Sequence, residues 1–449
     1  MATLAQAQFY LTLQAEVKTG SILINNNEHA AKPEILHLKN QALVPGFVSA
    51  HSHSFQRLLR GLTENSPPSH EADSFWSWRQ KMYQIVDHLP LEVFEATATL
   101  LFTEMLEAGI THVGEFHYLH HHPRLAPTKD PLDFTRALIR AAQATGINLV
   151  ILETAYHRYD FSSPVNDSQR RFYFGEVNEY LAFLTAALEL TKVAGIHFGA
   201  AIHSVRAVAP DWYESIHYFA KTHRLPLHIH ASEQWAEVET CVQAHGVSPI
   251  ALLHQHHLLT KETTLIHATH LIMNDEKLLI EHQPNICLCP ATEKNLGDGV
   301  LALKPLFDQG LRFSLGTDQN VRLEPFAEAQ ALEENERIRL RERQVLNRSQ
   351  GFLFEALWPS LTQHGLSSLY PYVDHTEPGN NWVSFTLPPE YEWHGAKAAL
   401  DAILIAPGTA KIDRVYAQGS LVVSNGVHLL TEKSRLINII TSFFKTLRI

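Results

Sequence analysis

Four short segments carry side chains able to bind a metal or move a proton. They are His51-Ser52-His53, His228-Ile229-His230 followed by Ala231-Ser232-Glu233, His267 with His270 just beyond it, and Gly316-Thr317-Asp318. Residues two apart on a strand point to the same face, so the imidazoles of His51 and His53 can share a centre. One HxH pair is weak evidence, but four such segments at the ends of apolar runs are a stronger signal together. Three neutral imidazoles and a carboxylate suit one Zn²⁺ per chain, and Fe²⁺ suits the same donors. Zinc lowers the pKa of a bound water from ~15.7 to ~7. A carboxylate beside that water can take its proton, and a second carboxylic acid can pass one to a leaving nitrogen.

Other reactive side chains read as ordinary. The chain has 29 histidines, and the His120-His121-His122 run and the group His254, His256 and His257 look like loop or surface residues. Cys241, Cys287 and Cys289 are too few and of the wrong parity for a disulfide framework, which points to a reducing compartment. Cys287 and Cys289 share one face of an apolar run and read as small buried hydrophobes.

Positioning four such segments around one point takes a particular fold. Apolar runs lie at 43–50, 111–116, 147–154, 195–202, 225–230, 263–268, 284–289 and 311–318, separated by stretches of helical period. The helical stretches are 91–108, 131–145, 176–192, 211–223, 233–245, 273–282 and 326–344. This alternation predicts an α/β fold, a (β/α)₈ TIM-like barrel over residues 46–370, with the catalytic face where the strands end. A doubly wound open sheet would need a glycine-rich phosphate loop after its first strand, and there is none. Residues 7–45 read as strands broken by polar turns such as GSILINNNEH. Residues 399–406, 414–419 and 420–430 read as strands, with a hairpin turn at Ser424-Asn425-Gly426. Segments 1–45 and 371–449 are therefore expected to form a small β-sandwich domain from both chain ends, closed by a helix near 433–447. The charged run containing Glu333 and Arg337 reads as a solvated helix face.

Bulk properties narrow the partners. The 449 residues are 45% hydrophobic and 18% charged, enough for a large core. A net charge of -11 disfavours nucleic acid. There is no basic-then-apolar leader at the start and no apolar run of about 18 residues, so neither secretion nor a membrane span is expected. The expectation is a cytoplasmic enzyme.

The order of HSH after the first strand, HxxE after the fifth, a lone histidine after the sixth and an aspartate after the eighth resembles the amidohydrolase superfamily, in its mononuclear deaminase branch. The resemblance implies that His51, His53, His230 and Asp318 bind the metal, that Glu233 shuttles protons, and that His267 bonds the attacking water or polarises the substrate. His228 would point elsewhere. A binuclear site bridged by a modified lysine is not expected, since GIHFGAAIH on the fourth strand has no lysine.

Longer segments sharpen the resemblance. HSHSFQR, DSFWSWRQKMY, EMLEAGITHVGEFHY, AIHSVRAV, HIHASEQ, IHATHL, LCPATEKNLGDG and GTDQN are similar to the formimidoylglutamate deiminases, over roughly residues 40–345. This implies hydrolysis of N-formimino-L-glutamate to N-formyl-L-glutamate and ammonia, in histidine degradation, by a homodimer. The substrate is a dicarboxylate, and carboxylates call for arginine. By the resemblance, Arg206, His203 and Tyr118 hold one carboxylate, Arg79 in the SFWSWRQ lid or loop segment holds the other, and Gln56 contacts the substrate near the metal. Glu115 reads as a structural buried carboxylate. The chain departs from the family at Gln319-Asn320, where Ser-His is expected, and in the segment YPYVDHTEPGNNWVSFTLPPEYEWHG. Two other readings are a deaminase of the same branch acting on another amino or imino compound or a heterocycle, and a barrel that binds a small anion without turnover. The first would not need the arginine pair, and the second would lack a ligand or Glu233.

Overall fold

The computed structural model describes residues 3–25, 34–64, 74–123, 130–347, 351–377, 379–429 and 432–447. All eight apolar runs supply strands of one parallel sheet. These are β1 (Phe47–Ser52), β2 (Ile110–His117), β3 (Asn148–Ala155), β4 (His197–Ser204), β5 (Leu227–Ala231), β6 (Thr263–His267), β7 (Asn285–Leu288) and β8 (Arg312–Leu315). They pair in chain order. At the mouth β8 meets β1: Thr317 N and Asp318 N donate to His51 O, and His53 N donates to Asp318 O, at 2.9–3.0 Å. The helices expected between the strands are present, from Leu91–Glu107 through Pro325–Leu340.

Gly316 permits the closure. A Cβ there would lie 2.8 Å from Cys289 Sγ and 2.9 Å from His51 Cβ, so no other residue lets β8 approach β1 so closely. Gly46 is equally constrained, since a Cβ would fall 2.0 Å from Thr111 Oγ1. It also splits the first apolar run in two. Residues up to Pro45 belong to the strand Glu34–Pro45 of a second sheet, and the barrel begins at Phe47.

That second sheet comes from both chain ends, as expected, and is one continuous mixed sheet of eight strands. Phe9, Leu11, Val44, Val383 and Val415 on one face join the main core, while Ala5, Ile24, Leu38, Trp382 and Tyr416 form a smaller cluster. The hairpin at Ser424-Asn425-Gly426 is there, with Asn425 and Gly426 at φ 52° and 72°, the left-handed pair of a type I′ turn. The polar turn expected beyond Asn25 falls outside the described residues. Lys433–Leu447 is the closing helix.

Two expectations are corrected. ALDAILIA, read as a strand, lies in the helix Ala396–Ile405. Its buried residues Ala399, Leu400, Ile403 and Leu404 repeat at helical spacing, and alanine and leucine favour that conformation. The charged run near Glu333 is not a solvated face. Glu333 is 1% exposed and accepts from Val345 N and Leu346 N as well as Arg337. Glu336 likewise accepts from Leu303 N and Lys304 N. These carboxylates anchor neighbouring backbone whose donors lack other partners.

The helix Gln363–Leu369 packs against the starts of the strands, at the end opposite the mouth. Its Ser368 hydroxyl meets Thr264 Oγ1 at 2.8 Å, and His364 meets the backbone of Phe313. No helix of the described residues is long and apolar enough to cross a membrane.

Candidate active site

The strand ends bring the four motif segments together. His51, His53, His230 and His267 are 0–5% exposed, as is Asp318. His51 Nε2 lies 3.1 Å from His230 Nε2 and 3.5 Å from Asp318 Oδ1, and His53 Nε2 lies 3.4 Å from the same Oδ1. Backbone carbonyls set two of the tautomers. His53 Nδ1 donates to Phe116 O at 2.9 Å, and His230 Nδ1 donates to His203 O at 2.7 Å. Their Nε2 atoms are then bare lone pairs facing a common centre. Ligand atoms on a tetrahedral zinc ion sit about 3.3 Å apart, from bonds of ~2.0–2.2 Å. The spacing and tautomers therefore fit a single divalent ion.

The chain turns sharply to aim these groups. Ser232, His267, Ala268, Asp318 and Asn320 all have φ between 48° and 70°, costly for residues other than glycine. Asn320 helps hold that shape, with Nδ2 donating to Asp318 O and His53 O. Gln319 Nε2 donates to Asn295, outside the cavity lining. The Gln319-Asn320 departure thus sits behind His53 and Asp318, and neither side chain lines the cavity.

His267 sits among acids. Its Nε2 is 3.6 Å from Asp318 Oδ2 and 3.7 Å from Glu233 Oε1, and its Nδ1 is 3.2 Å from Glu293 Oε1. Burial opposes a charge on His267, but Glu233, Glu293 and Asp318 outweigh it and hold its pKa well above the ordinary value. Burial lowers His51, His53 and His230, keeping them neutral as ligands must be. Burial raises Glu233, against the pull of His267, which favours a proton on that carboxyl.

The cavity beside this cluster is lined by His53, Gln56, Arg79, Tyr118, His203, Arg206, His230, Glu233 and Asp318, with Trp78, Tyr83, Tyr156 and Phe172 among the aromatic walls. Arg79 stands on the helix Phe75–His88 rather than on a loop, and it and Arg206 are each 5% exposed. Arg79 stacks over Tyr159 at 4.9 Å and Tyr83 at 5.2 Å and bonds the hydroxyls of Tyr83 and Tyr156. Arg206 donates to Tyr159 O at 3.0 Å. Among the described residues neither guanidinium has a carboxylate partner, and Arg79 Nη1 has no hydrogen-bond partner. Gln56 Nε2 donates to Tyr118 at 3.0 Å.

His228 points away, with Nε2 donating to Ser368 O at 3.1 Å, and Glu115 is buried and accepts from Ser54 N, both as expected. Cys287 and Cys289 are buried beside Ala50 and Ile266, and burial raises the Cys289 thiol, so it stays protonated. His120 is a correction: it lies in the loop after β2 but is fully buried. Sequence reading missed Glu293, the carboxylate behind His267, which also accepts from Cys289 N at 2.9 Å. Nothing local distinguishes it from other helix glutamates. Tyr83 and Tyr156, which meet Arg79, were missed for the same reason.

The sequence model of the amidohydrolase family matches residues 42–365. The chain is 34% identical over 399 residues to the formimidoylglutamate deiminase of Pseudomonas aeruginosa, covering 88% of this chain and 87% of that one. It is 24% identical over 422 residues to the 5-methylthioadenosine/S-adenosylhomocysteine deaminase of Shouchella clausii, covering 91% and 88%. Among solved structures, an amidohydrolase from Brucella melitensis aligns over 100% of both chains at 29% identity, with a TM-score of 0.86. A Xanthomonas campestris adenosine deaminase with bound zinc shares the fold, at a TM-score of 0.80 and 18% identity over 99% and 98% of the chains.

Proposed function

Given that the chain belongs to the amidohydrolase family and is a hydrolase, we propose that it hydrolyses N-formimino-L-glutamate to N-formyl-L-glutamate and ammonia. One observation carries the substrate: two buried arginines line the cavity beside His53, His230 and Asp318, and among the described residues neither is ion-paired to a carboxylate. A buried charge without a counterion is costly, and a dicarboxylate substrate supplies two. A neutral heterocycle would supply none.

His51, His53, His230 and Asp318 are the residues that would hold the ion, with one zinc per chain the reading that imidazole and carboxylate donors favour and Fe²⁺ the second choice. When bound, the ion acidifies water and polarises the carbon under attack. Arg206, His203 and Tyr118 hold one substrate carboxylate, and Arg79 holds the other. Gln56, tethered to Tyr118, orients the substrate near His53. This fixes the formimino carbon beside Asp318 and Glu233. Water adds its oxygen to that carbon while Asp318 accepts its proton and His267, backed by Glu293, holds the carboxylate in place. Glu233, raised toward its protonated form, delivers a proton to the imino nitrogen. The carbon–nitrogen bond then breaks, the second water proton passes to the departing nitrogen, and ammonia leaves with the formyl oxygen in place. The resemblance further implies a cytoplasmic homodimer acting in histidine degradation.

The test is ammonia release from N-formimino-L-glutamate by zinc-loaded protein, beside the same protein after chelation. Metal-dependent release supports the reading. Release only from adenosine-type or other amino compounds would overturn the substrate and leave the hydrolase.

A further inference from the structure

Strand β2 carries polar or aromatic side chains on both faces. Phe116 turns inward, its ring 4.6 Å from that of His230. His117, next in sequence, turns outward into the layer between barrel and helices, where its ring lies 5.6 Å from that of Phe94. Glu153 on β3 is its register partner across the strand pair. The loop after β2 brings His120 back to the same place. One ligand atom from each of His117, His120 and Glu153 lies within 4.8 Å of the others.

The three side chains are 1%, 0% and 0% exposed. Among the described residues, neither ring nitrogen of His117 has a hydrogen-bond partner, and neither does His120 Nδ1 or Glu153 Oε2. Buried polar atoms are almost always partnered, so four orphans in one place call for an occupant. The tautomer says what kind. His120 Nε2 donates to Thr154 O at 3.0 Å, so a neutral His120 has a bare lone pair at Nδ1. That lone pair faces Glu153 Oε2 at 3.4 Å. Two bare acceptors aimed at each other repel, so either a proton or a metal cation lies between them, and the length of the contact favours the metal. The separation is longer than a hydrogen bond, at about 2.7–3.2 Å, but equals the spacing of two ligand atoms on a tetrahedral ion, about 3.3 Å. The other oxygen of Glu153 accepts from Thr135 Oγ1 at 2.6 Å, which orients the carboxylate. These features repeat the mouth, where His53 and His230 also donate one ring nitrogen to a backbone carbonyl and present the other bare.

We propose that His117, His120 and Glu153 form a second, structural site for a zinc-class divalent cation, sealed between barrel and helices and separate from the catalytic mouth. Two imidazoles and a carboxylate are a zinc donor set that leaves the fourth tetrahedral position to a water. Because the site is closed to solvent, its ion enters during folding and resists chelators that strip the mouth. The proposal does not depend on the substrate assigned above.

The test is metal content of the full chain, produced with zinc and dialysed against dipicolinate, measured by elemental analysis. The intact protein is expected to hold two zinc ions per chain before dialysis and one after. Glu153→Gln and His120→Asn are each expected to lose the chelator-resistant ion. A mouth variant, His53→Asn with Asp318→Asn, is expected to keep it, and this arm decides the matter should the buried-site variants fail to fold. The proposal is overturned if the mouth variant holds no chelator-resistant zinc, or if a folded Glu153→Gln protein retains as much as the intact chain.

Discussion

The two ends of the barrel both collect histidines and treat them oppositely. At the strand starts three rings are each tied by one nitrogen to the fold. His112 Nδ1 lies 3.0 Å from Thr111 Oγ1, His228 Nε2 3.1 Å from Ser368 O, and His364 Nδ1 3.2 Å from Phe313 O. At the strand ends His51, His53 and His230 turn their Nε2 atoms on one another and on Asp318, and nearby stand two arginines with no carboxylate ion pair among the described residues. The closed end spends its polar groups on holding the fold, whereas the open end leaves donor atoms that could take an ion and, on the function proposed, a substrate. Substitutions at the mouth should therefore cost activity with little stability, and substitutions at the starts should do the reverse.

The largest effect expected is that of Glu233→Gln, which removes the proton carrier. Turnover should fall by about 10²–10⁴, with melting temperature and mouth metal unchanged. Near-normal ammonia release would remove Glu233 from the mechanism. Next comes Arg206→Met, which should lower kcat/KM for N-formimino-L-glutamate about 100-fold, since a charge-assisted hydrogen bond is worth about 1.5–3 kcal/mol. Unchanged kcat and KM would show that this guanidinium holds no carboxylate.

At the closed end the readout changes. A Cβ on Gly365 would lie 2.7 Å from Val48 Cβ and Cγ1, so Gly365→Ala should cost about 1–3 kcal/mol in denaturant unfolding while kcat persists. Recovery in the Gly365→Ala, Val48→Ala pair would assign the loss to that contact, and lost turnover in a folded variant would break the division between the ends. The last effect, gradual rather than abrupt, is a pH dependence. Burial, with His197 and His375 nearby, pushes His112 down to about 3, and burial pushes His364 down to about 4. Because both folded values lie below the unfolded ~6.5, the unfolded chain binds more protons in between. Stability is full above about pH 6.5 and falls as pH drops toward 4, by about 1 kcal/mol per unit for each ring. His112→Asn should flatten that slope by one share, and an unaltered slope would mean that His112 is not kept neutral by the fold.

What could be read in advance follows from short-range rules. Alternation of apolar runs and helical periods marked all eight barrel strands, because each strand or helix must bury one side of its own segment. The two-residue repeat put His51 and His53 on one face, and the place of His230, His267 and Asp318 at strand ends brought them to one centre. The same rules misread ALDAILIA, since a short apolar run satisfies either period until its packing partners choose. They also read His120 as a loop or surface residue; it is on a loop but buried, which local sequence did not show.

Chain order and residue type alone thus determined the barrel and the strand ends that carry His51, His53, His230, His267 and Asp318, since these depend on the spacing of apolar runs and the residues that end them. Only the tertiary structure decided what depends on pairs far apart in the chain. It set Glu293 behind His267 and the carbonyls of Phe116 and His203 behind His53 and His230. It set Arg79 and Arg206 in one cavity, neither ion-paired to a carboxylate among the described residues, and it gathered His117, His120 and Glu153 on the outer face of the barrel. A hydrogen bond or an unpaired charge is a relation between two places, and local sequence specifies only one of them.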